Sequence, residues 1–227
     1  MKKHTVAIVE PHFDDFWLNM GGFQLINDDY NYIVVSVSKD DSWNYVNHTK
    51  ELGSILNGRL QTFALGYDSL PIEKEKLRAQ LANMGTKSEE ELFLRTNQLD
   101  SMGQLAEGIN EKVAGADYVF LPMGLHHPMH KVLSTLELDK PCLKYGEYPY
   151  RFYPSERDNL SELESGLYKY ELDISDVVDK KLDIFKKIYT TQQYIFTVSK
   201  VNTPLTDATK EVFYSSSEID SDLNIGS

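Results

Sequence analysis

A chain of 227 residues, 41% hydrophobic and 26% charged, has the composition of a globular protein with enough length to fill one core. Its net charge of −12 excludes a protein that holds nucleic acid or an anionic membrane through a broad basic field. The single cysteine, Cys142, excludes a disulfide framework and a cysteine-rich metal centre, and its setting in KPCLKYGEY is that of a core thiol rather than a nucleophile. The first apolar run is too short for a secretory signal or a membrane span, so the expected location is the cytoplasm.

TVAIVE, residues 5–10, is a β-branched run closed by Pro11, the pattern of a strand buried on both faces. DDFWLNMGGFQLIN continues as a helix starting near Asp14 or Asp15, and YIVVSVS, residues 32–38, is a second buried strand. NYVNHTKELGSILNG places Leu52, Ile55 and Leu56 at helical spacing and stops at Gly58, after which LQTFALG reads as a strand. SEEELFLRTNQLDSMGQLAEGINEKV opens with Ser88 and Glu91 at capping-box spacing and predicts one long helix. ADYVFLPMG, residues 116–124, is a further buried strand, HHPMHKVLSTLEL a loop that becomes a helix, and PCLKYGEYPY the next strand. ISDVVDKKLDIFKKIYTTQQ puts Val177, Leu182, Phe185 and Ile188 on one side of an amphipathic helix. This alternation predicts a single α/β domain of Rossmann-like topology, a mostly parallel sheet with helices on both faces. Residues 1–214 are assigned to that domain, and the polar, acidic residues 215–227 to a flexible tail.

Ligands of open parallel sheets bind beyond the carboxyl ends of the strands. TVAIVE runs into PHFDD and ADYVFLPMG into LHHPMH, so the topology brings both polar clusters to one rim. His12 and Asp15 lie three residues apart, as do His127 and His130 around Pro128. Two histidines and a carboxylate facing an open position suit zinc or iron(II). One carboxylate and one histidine then remain for proton transfer, the makings of a metal-assisted hydrolase. The same residues have plainer uses, an aspartate pair as a helix N-cap and a histidine-rich loop as solvated turn. A response-regulator receiver, which also carries an acidic pair after its first strand, is excluded because Pro122 stands where its phosphoacceptor aspartate belongs.

With those residues in view, the chain resembles the PIG-L/LmbE-type family of metal-dependent N-acetylglucosaminyl deacetylases. PHFDDF stands where the family has Pro-His-Pro-Asp-Asp-Glu, and HPMH, residues 127–130, where it has His-Pro-Asp-His. HTKELGSILNG, FALGYDSLP, KYGEYPY and the late helix follow in the family's order, so the likeness spans nearly the whole chain. The resemblance implies that His12, Asp15 and His130 bind a divalent metal, zinc first and iron(II) second. It implies Asp14 as general base on metal-activated water, and His127 as the residue that stabilises the oxyanion and assists the departing amine. The implied substrate is a small molecule or glycoconjugate bearing an N-acetylated amino sugar. Two other readings stay open: a metal-dependent amidase acting on a non-sugar amide, and a degenerate member that binds sugar without turnover.

The departures from the family pattern carry their own expectations. Phe13 replaces the usual proline, Phe16 the usual glutamate and Met129 the aspartate between the histidines, while His48 stands near the family's arginine. The missing glutamate removes a carboxylate that could orient a ligand. Phe16 and Trp17 are expected in the core, and Phe13 at the pocket wall, where its ring could stack on a sugar. YGEYPYRFY, residues 145–153, is expected to be strand and surface loop, with Arg151 as a local cation for a substrate phosphate or carboxylate.

Overall fold

The computed structural model describes residues 3–39, 42–189, 209–219 and 223–225, and of residues 42–47 the backbone only. Strands β1 (Thr5–Glu10), β2 (Asn31–Ser38), β3 (Leu60–Tyr67), β4 (Tyr118–Pro122), β5 (Cys142–Tyr145), β6 (Tyr168–Asp173) and β7 (Lys210–Ser215) make one sheet. Its order is β3-β2-β1-β4-β5-β7-β6. The first five strands pair in parallel, and β7 runs antiparallel to both β5 and β6. The expected α/β architecture, mostly parallel with helices on both faces, is therefore present.

The period-2 alternation of a strand divides β1 between two cores. Val6 and Ile8 join α1 (Asp15–Ile26) and α8 (Val178–Ile188) on one face. Ala7 and Val9 join α3 (Lys74–Met84), α4 (Glu89–Thr96), α5 (Met102–Val113) and α6 (Pro128–Ser134) on the other. A strand covered on both sides has no use for polar side chains, which explains why its buried VAIV, residues 6–9, is apolar throughout. Helix α2 (Ser42–Ile55) leads into β3, and α7 (Arg157–Glu164) precedes β6.

Three elements depart from the sequence reading. The long helix over 88–113 is two helices: Asn97 closes α4, Gln98 takes a left-handed φ of 55°, and Ser101 starts α5 afresh by accepting from Gln104 N–H. PCLKYGEYPY is strand only to Tyr145; two 3₁₀ turns, Tyr150–Phe152 and Pro154–Glu156, follow. Pro149 has no N–H for a ladder, and Glu147 turns inward instead of alternating along an edge. Helix α3 and the antiparallel pair β6–β7 stand outside the elements expected from the sequence. The late helix is described to Ile188 with Tyr189 as its cap, and the expected continuation over 190–193 lies outside the described residues. Within 215–227, Leu223 and Ile225 are buried against the α1 and α8 core, and Asn27 Nδ2 donates to Asn224 O at 3.2 Å. No helix among the described residues is long and apolar enough to cross a membrane.

Helix α1 is buried along nearly its whole length, from Asp15 through Gln24. Its middle is tied to the C-terminal third of the chain by a buried ion pair. Lys181 Nζ donates to Leu18 O at 2.7 Å and to Glu211 Oε1 at 2.8 Å, while Glu211 accepts the N–H groups of Gly22 (2.7 Å) and Phe23 (2.6 Å). Gly22 is required by packing, because a Cβ there would come 2.6 Å from Ile174 Cγ2.

Candidate metal centre

The carboxyl ends of β1 and β4 deliver the two polar clusters to one rim. After β1, Pro11 ends the ladder and the chain turns into α1, with Asp15 Oδ2 accepting the His12 N–H at 2.9 Å and Asp15 N–H donating to His12 O at 3.2 Å. This double closure holds the His12 and Asp15 side chains together. Asp14 sits at the N-cap position, yet its side chain makes no capping bond. After β4, the loop swings through Gly124 (φ +99°) and His126 (φ +55°) into α6, whose first residue is Pro128. Proline at the first helical position fixes the backbone there at no loss of a hydrogen bond. His127 caps that helix by accepting the Met129 N–H on Nδ1 at 3.1 Å.

Ring nitrogens of His12, His127 and His130 lie within 4.8 Å of one another, a donor cluster that could hold a metal ion. Asp15 belongs to the same cluster, its Oδ2 standing 3.2 Å from His12 Nδ1 and 3.3 Å from His130 Nε2. His130 is fully buried, and its Nδ1 is bonded to the carboxylate of Glu147, itself fully buried. A neutral imidazole in that bond carries its proton on Nδ1 and turns a bare Nε2 lone pair toward Asp15. Nε2 has no hydrogen-bond partner of acceptable geometry. Two electron-rich atoms face each other across 3.3 Å with burial on all sides, an arrangement that calls for a cation between them. The residues present therefore fit a divalent metal.

The electrostatics also call for positive charge between Asp15 and His130, which in the absence of a metal is a proton on the ring. Burial alone would raise the Asp15 carboxyl, but the charges and hydrogen bonds of His130 and His12 outweigh it and hold the group well below the carboxylate range. Burial would lower His130, but Asp15 and Glu147 outweigh it and push the ring well above its ordinary value. For His127, burial and the neighbouring rings of His12 and His130 act together and keep the imidazole neutral.

Sequence reasoning missed three residues that hold this centre. Glu147 accepts the Gly124 and Leu125 N–H groups at 2.7 Å each besides the His130 bond, so one carboxylate fixes both the loop after β4 and the ring of His130. Glu10, the last residue of β1, accepts the Phe16 N–H at 2.8 Å and the Ser36 hydroxyl. The carboxylate thought absent because Phe16 replaces a glutamate is thus present beside the same turn, donated by the preceding strand. Burial raises the Glu10 carboxyl well above its usual range. Asn19 accepts the Tyr148 N–H on Oδ1 and donates to Asp15 O at 2.7 Å, coupling the first cluster to the Glu147 turn. The only local signal was the i, i+4 relation of Asp15 and Asn19.

Other sequence-stated residues fall in varied places. Phe16 and Trp17 are core, as expected. Phe13 stacks on His48 (centroids 4.9 Å, 21°), which in turn meets Tyr189 at 4.9 Å, and the three rings line a small cavity with Glu10 and Phe16. His48 is buried in that stack rather than placed as a surface cation, and burial lowers its pKa. Arg151 is turned away from the cluster, its Nη2 donating to Lys210 O at 2.8 Å and its guanidinium lying over Phe152 in a separate cleft with Glu164, Lys169 and Glu171. Cys142 is half-buried and its thiol is pushed up by burial, in keeping with a packing role.

No protein-family model matches the chain, and no curated protein matches it by sequence. Solved structures do. The A40926 pseudoaglycone deacetylase Dbv21 superposes with a TM-score of 0.63 at 16% identity, covering 95% of this chain and 97% of that one. A deacetylase of the teicoplanin biosynthesis pathway gives 0.62 at 17% identity over 92% and 96%. The chain has the fold of these deacetylases. The zinc-inhibited form of teicoplanin deacetylase Orf2 gives 0.52 at 16% identity over 92% and 97%.

Proposed function

We propose that the protein is a PIG-L/LmbE-type metal-dependent deacetylase that hydrolyses the N-acetyl group of an amino-sugar substrate. The observation that carries this reading is the bare, buried Nε2 of His130 facing Asp15 Oδ2, with His12 beside it and Glu147 behind. His12, Asp15 and His130 are the ligands, with zinc the first choice of metal and iron(II) the second. When bound, the metal supplies Lewis-acid polarisation of the acyl carbonyl and acidifies the attacking water.

The remaining work falls to the chain's own residues. Asp14 stands next to the ligand Asp15 at the turn into α1, so its carboxylate takes the proton of the attacking water. His127 keeps its Nδ1 occupied by the Met129 N–H, which leaves the proton on Nε2. That N–H is a donor, suited to the oxyanion and then to the departing amine rather than to a metal. Glu147 fixes the ring of His130, and Glu10 fixes the turn that carries Asp14 and Asp15. That the solved deacetylases share this fold supports the reaction class, and the buried carboxylate of Glu10 speaks against a site fallen into disuse.

The test is metal analysis of the purified protein joined to acetate release from N-acetylglucosamine derivatives, with zinc and iron(II) compared because a similar deacetylase is described in a zinc-inhibited form. Stoichiometric metal and a fall of about 10²–10⁴-fold in kcat for Asp14→Asn are expected. A metal-replete preparation without metal at the cluster overturns the mechanism, and turnover confined to acyclic amides overturns the sugar assignment.

A further inference from the structure

Three features adjoin the metal centre and extend it outward. The first is His126, the one half-exposed residue in an otherwise buried stretch from Leu121 to His130. Its backbone is left-handed at φ +55°, a conformation that costs a non-glycine residue about 1 kcal/mol and persists only where the surroundings impose it. Glu156 imposes it, its carboxylate accepting from both His126 N (3.2 Å) and Nδ1 (3.2 Å) while Asn159 Nδ2 steadies the same carboxylate at 3.1 Å. Packing alone would not call for a strained, half-exposed histidine held to one carboxylate by its backbone N–H and by its ring.

The second is a pattern of spacing. Glu147, Tyr150, Tyr153 and Glu156 recur every third residue, Tyr150 and Glu156 within the two 3₁₀ turns and Tyr153 as the extended residue that joins them. All four meet the loop from Gly124 to His130. Glu147 binds Gly124, Leu125 and His130, and Glu156 binds His126. Between them the two tyrosines read the same loop with their rings.

The third is the continuity of those rings. Tyr150 stands edge-on to the ligand His130 at 5.4 Å and lies tilted over His126 at 5.1 Å. Tyr153 stands edge-on to both His126 (5.1 Å) and Tyr150 (5.7 Å). The aromatic surface thus begins on a buried metal-centre histidine and ends on half-exposed rings, each step about the width of a pyranose. Both ends are flanked by carboxylates, Asp14, Asp15 and Glu147 inside and Glu156 outside, while Arg151 faces another cleft.

We propose that His126, Tyr150 and Tyr153 form an aromatic wall that receives the apolar face of an unphosphorylated amino-sugar ring whose N-acyl group points into the histidine cluster. The inference rests on the deacetylase reading and adds to it the subsite and the charge of the sugar. C–H groups on one face of a pyranose pack on aromatic rings, and the Glu156 carboxylate fixed at the outer end of the wall repels a phosphate.

The test is binding of methyl N-acetyl-β-glucosaminide, its 6-phosphate and acyclic N-acetylethanolamine, measured by saturation-transfer NMR in the metal-loaded Asp14→Asn protein, which keeps the acyl group intact. Tyr153→Ala is expected to weaken the neutral glycoside about tenfold, Tyr153→Phe to retain it, and N-acetylethanolamine to be indifferent to either. The 6-phosphate is expected to bind more weakly than the neutral glycoside. Thermal unfolding and metal content of each variant separate a lost wall from a lost fold, and His126→Leu, judged by the same two ligands, serves if Tyr153→Ala proves unstable. Equal effects on glycoside and acyclic amide, or none on either, overturn the wall; tighter binding of the 6-phosphate overturns the neutral sugar. Tyr153-dependent binding without acetate release by the wild-type protein leaves the wall standing and overturns the hydrolase.

Discussion

Helix α1 carries two costly polar clusters within one length of buried helix, and they differ in kind. At its N-terminus Asp15 meets His12 and His130, with a lone pair left unmatched. At its middle Lys181 and Glu211 meet the backbone, and the charges, the Leu18 carbonyl and the Gly22 and Phe23 N–H groups are matched to one another. A closed network holds the fold, because removing either partner strands a buried charge. An open one is poised for something absent from the chain itself. Incompleteness, more than burial or charge, separates the site from the scaffold.

Three substitutions set this contrast against measurement. Lys181→Met leaves the Glu211 carboxylate buried without its cation and is expected to lose about 3–5 kcal/mol in urea unfolding; a loss well under 1 kcal/mol would mean that the middle network is no more closed than the other. Glu147→Gln keeps volume and removes the charge behind His130. Metal affinity should fall roughly 10–100-fold by competition with a chelator, with a smaller change in unfolding free energy than Lys181→Met. Should the order reverse, Glu147 belongs to the scaffold instead. Gly22→Ala drives a methyl into Ile174 and is expected to destabilise by about 1–2 kcal/mol, an effect that shrinks in an Ile174→Ala background. Equal effects in both backgrounds would place the strain elsewhere.

The two networks were unequally legible in the sequence for a physical reason. His12, Asp14 and Asp15 share one turn, His127 and His130 another, and apolar strands ahead of each announce where they must emerge. Short spacing and strand polarity are local facts. Lys181 and Glu211 touch α1 across separations of 163 and 189 residues, and nothing near either residue says that it is buried. Glu147 was hidden in another way: it lies in an aromatic-rich run that resembles strand, and only the break at Gly146 and Pro149 turns it inward. The spacing of Glu147, Tyr150, Tyr153 and Glu156 is visible in the sequence, but it matches neither the strand period of 2 nor the helical period of 3.6, because short 3₁₀ turns and an extended residue carry it. The long helix over 88–113 failed because Ser101 was counted inside a helix when it is the start of a second one.

The Lys181–Glu211 staple also bears on time. Helix α1, with both signature aspartates, leaves the ribosome well before the partners of its mid-helix backbone, which follow 163 and 189 residues later. Growing chains are thus expected to hold a metal site in parts, and to acquire the ability to capture an ion only after β7 has been synthesised and threaded between β5 and β6.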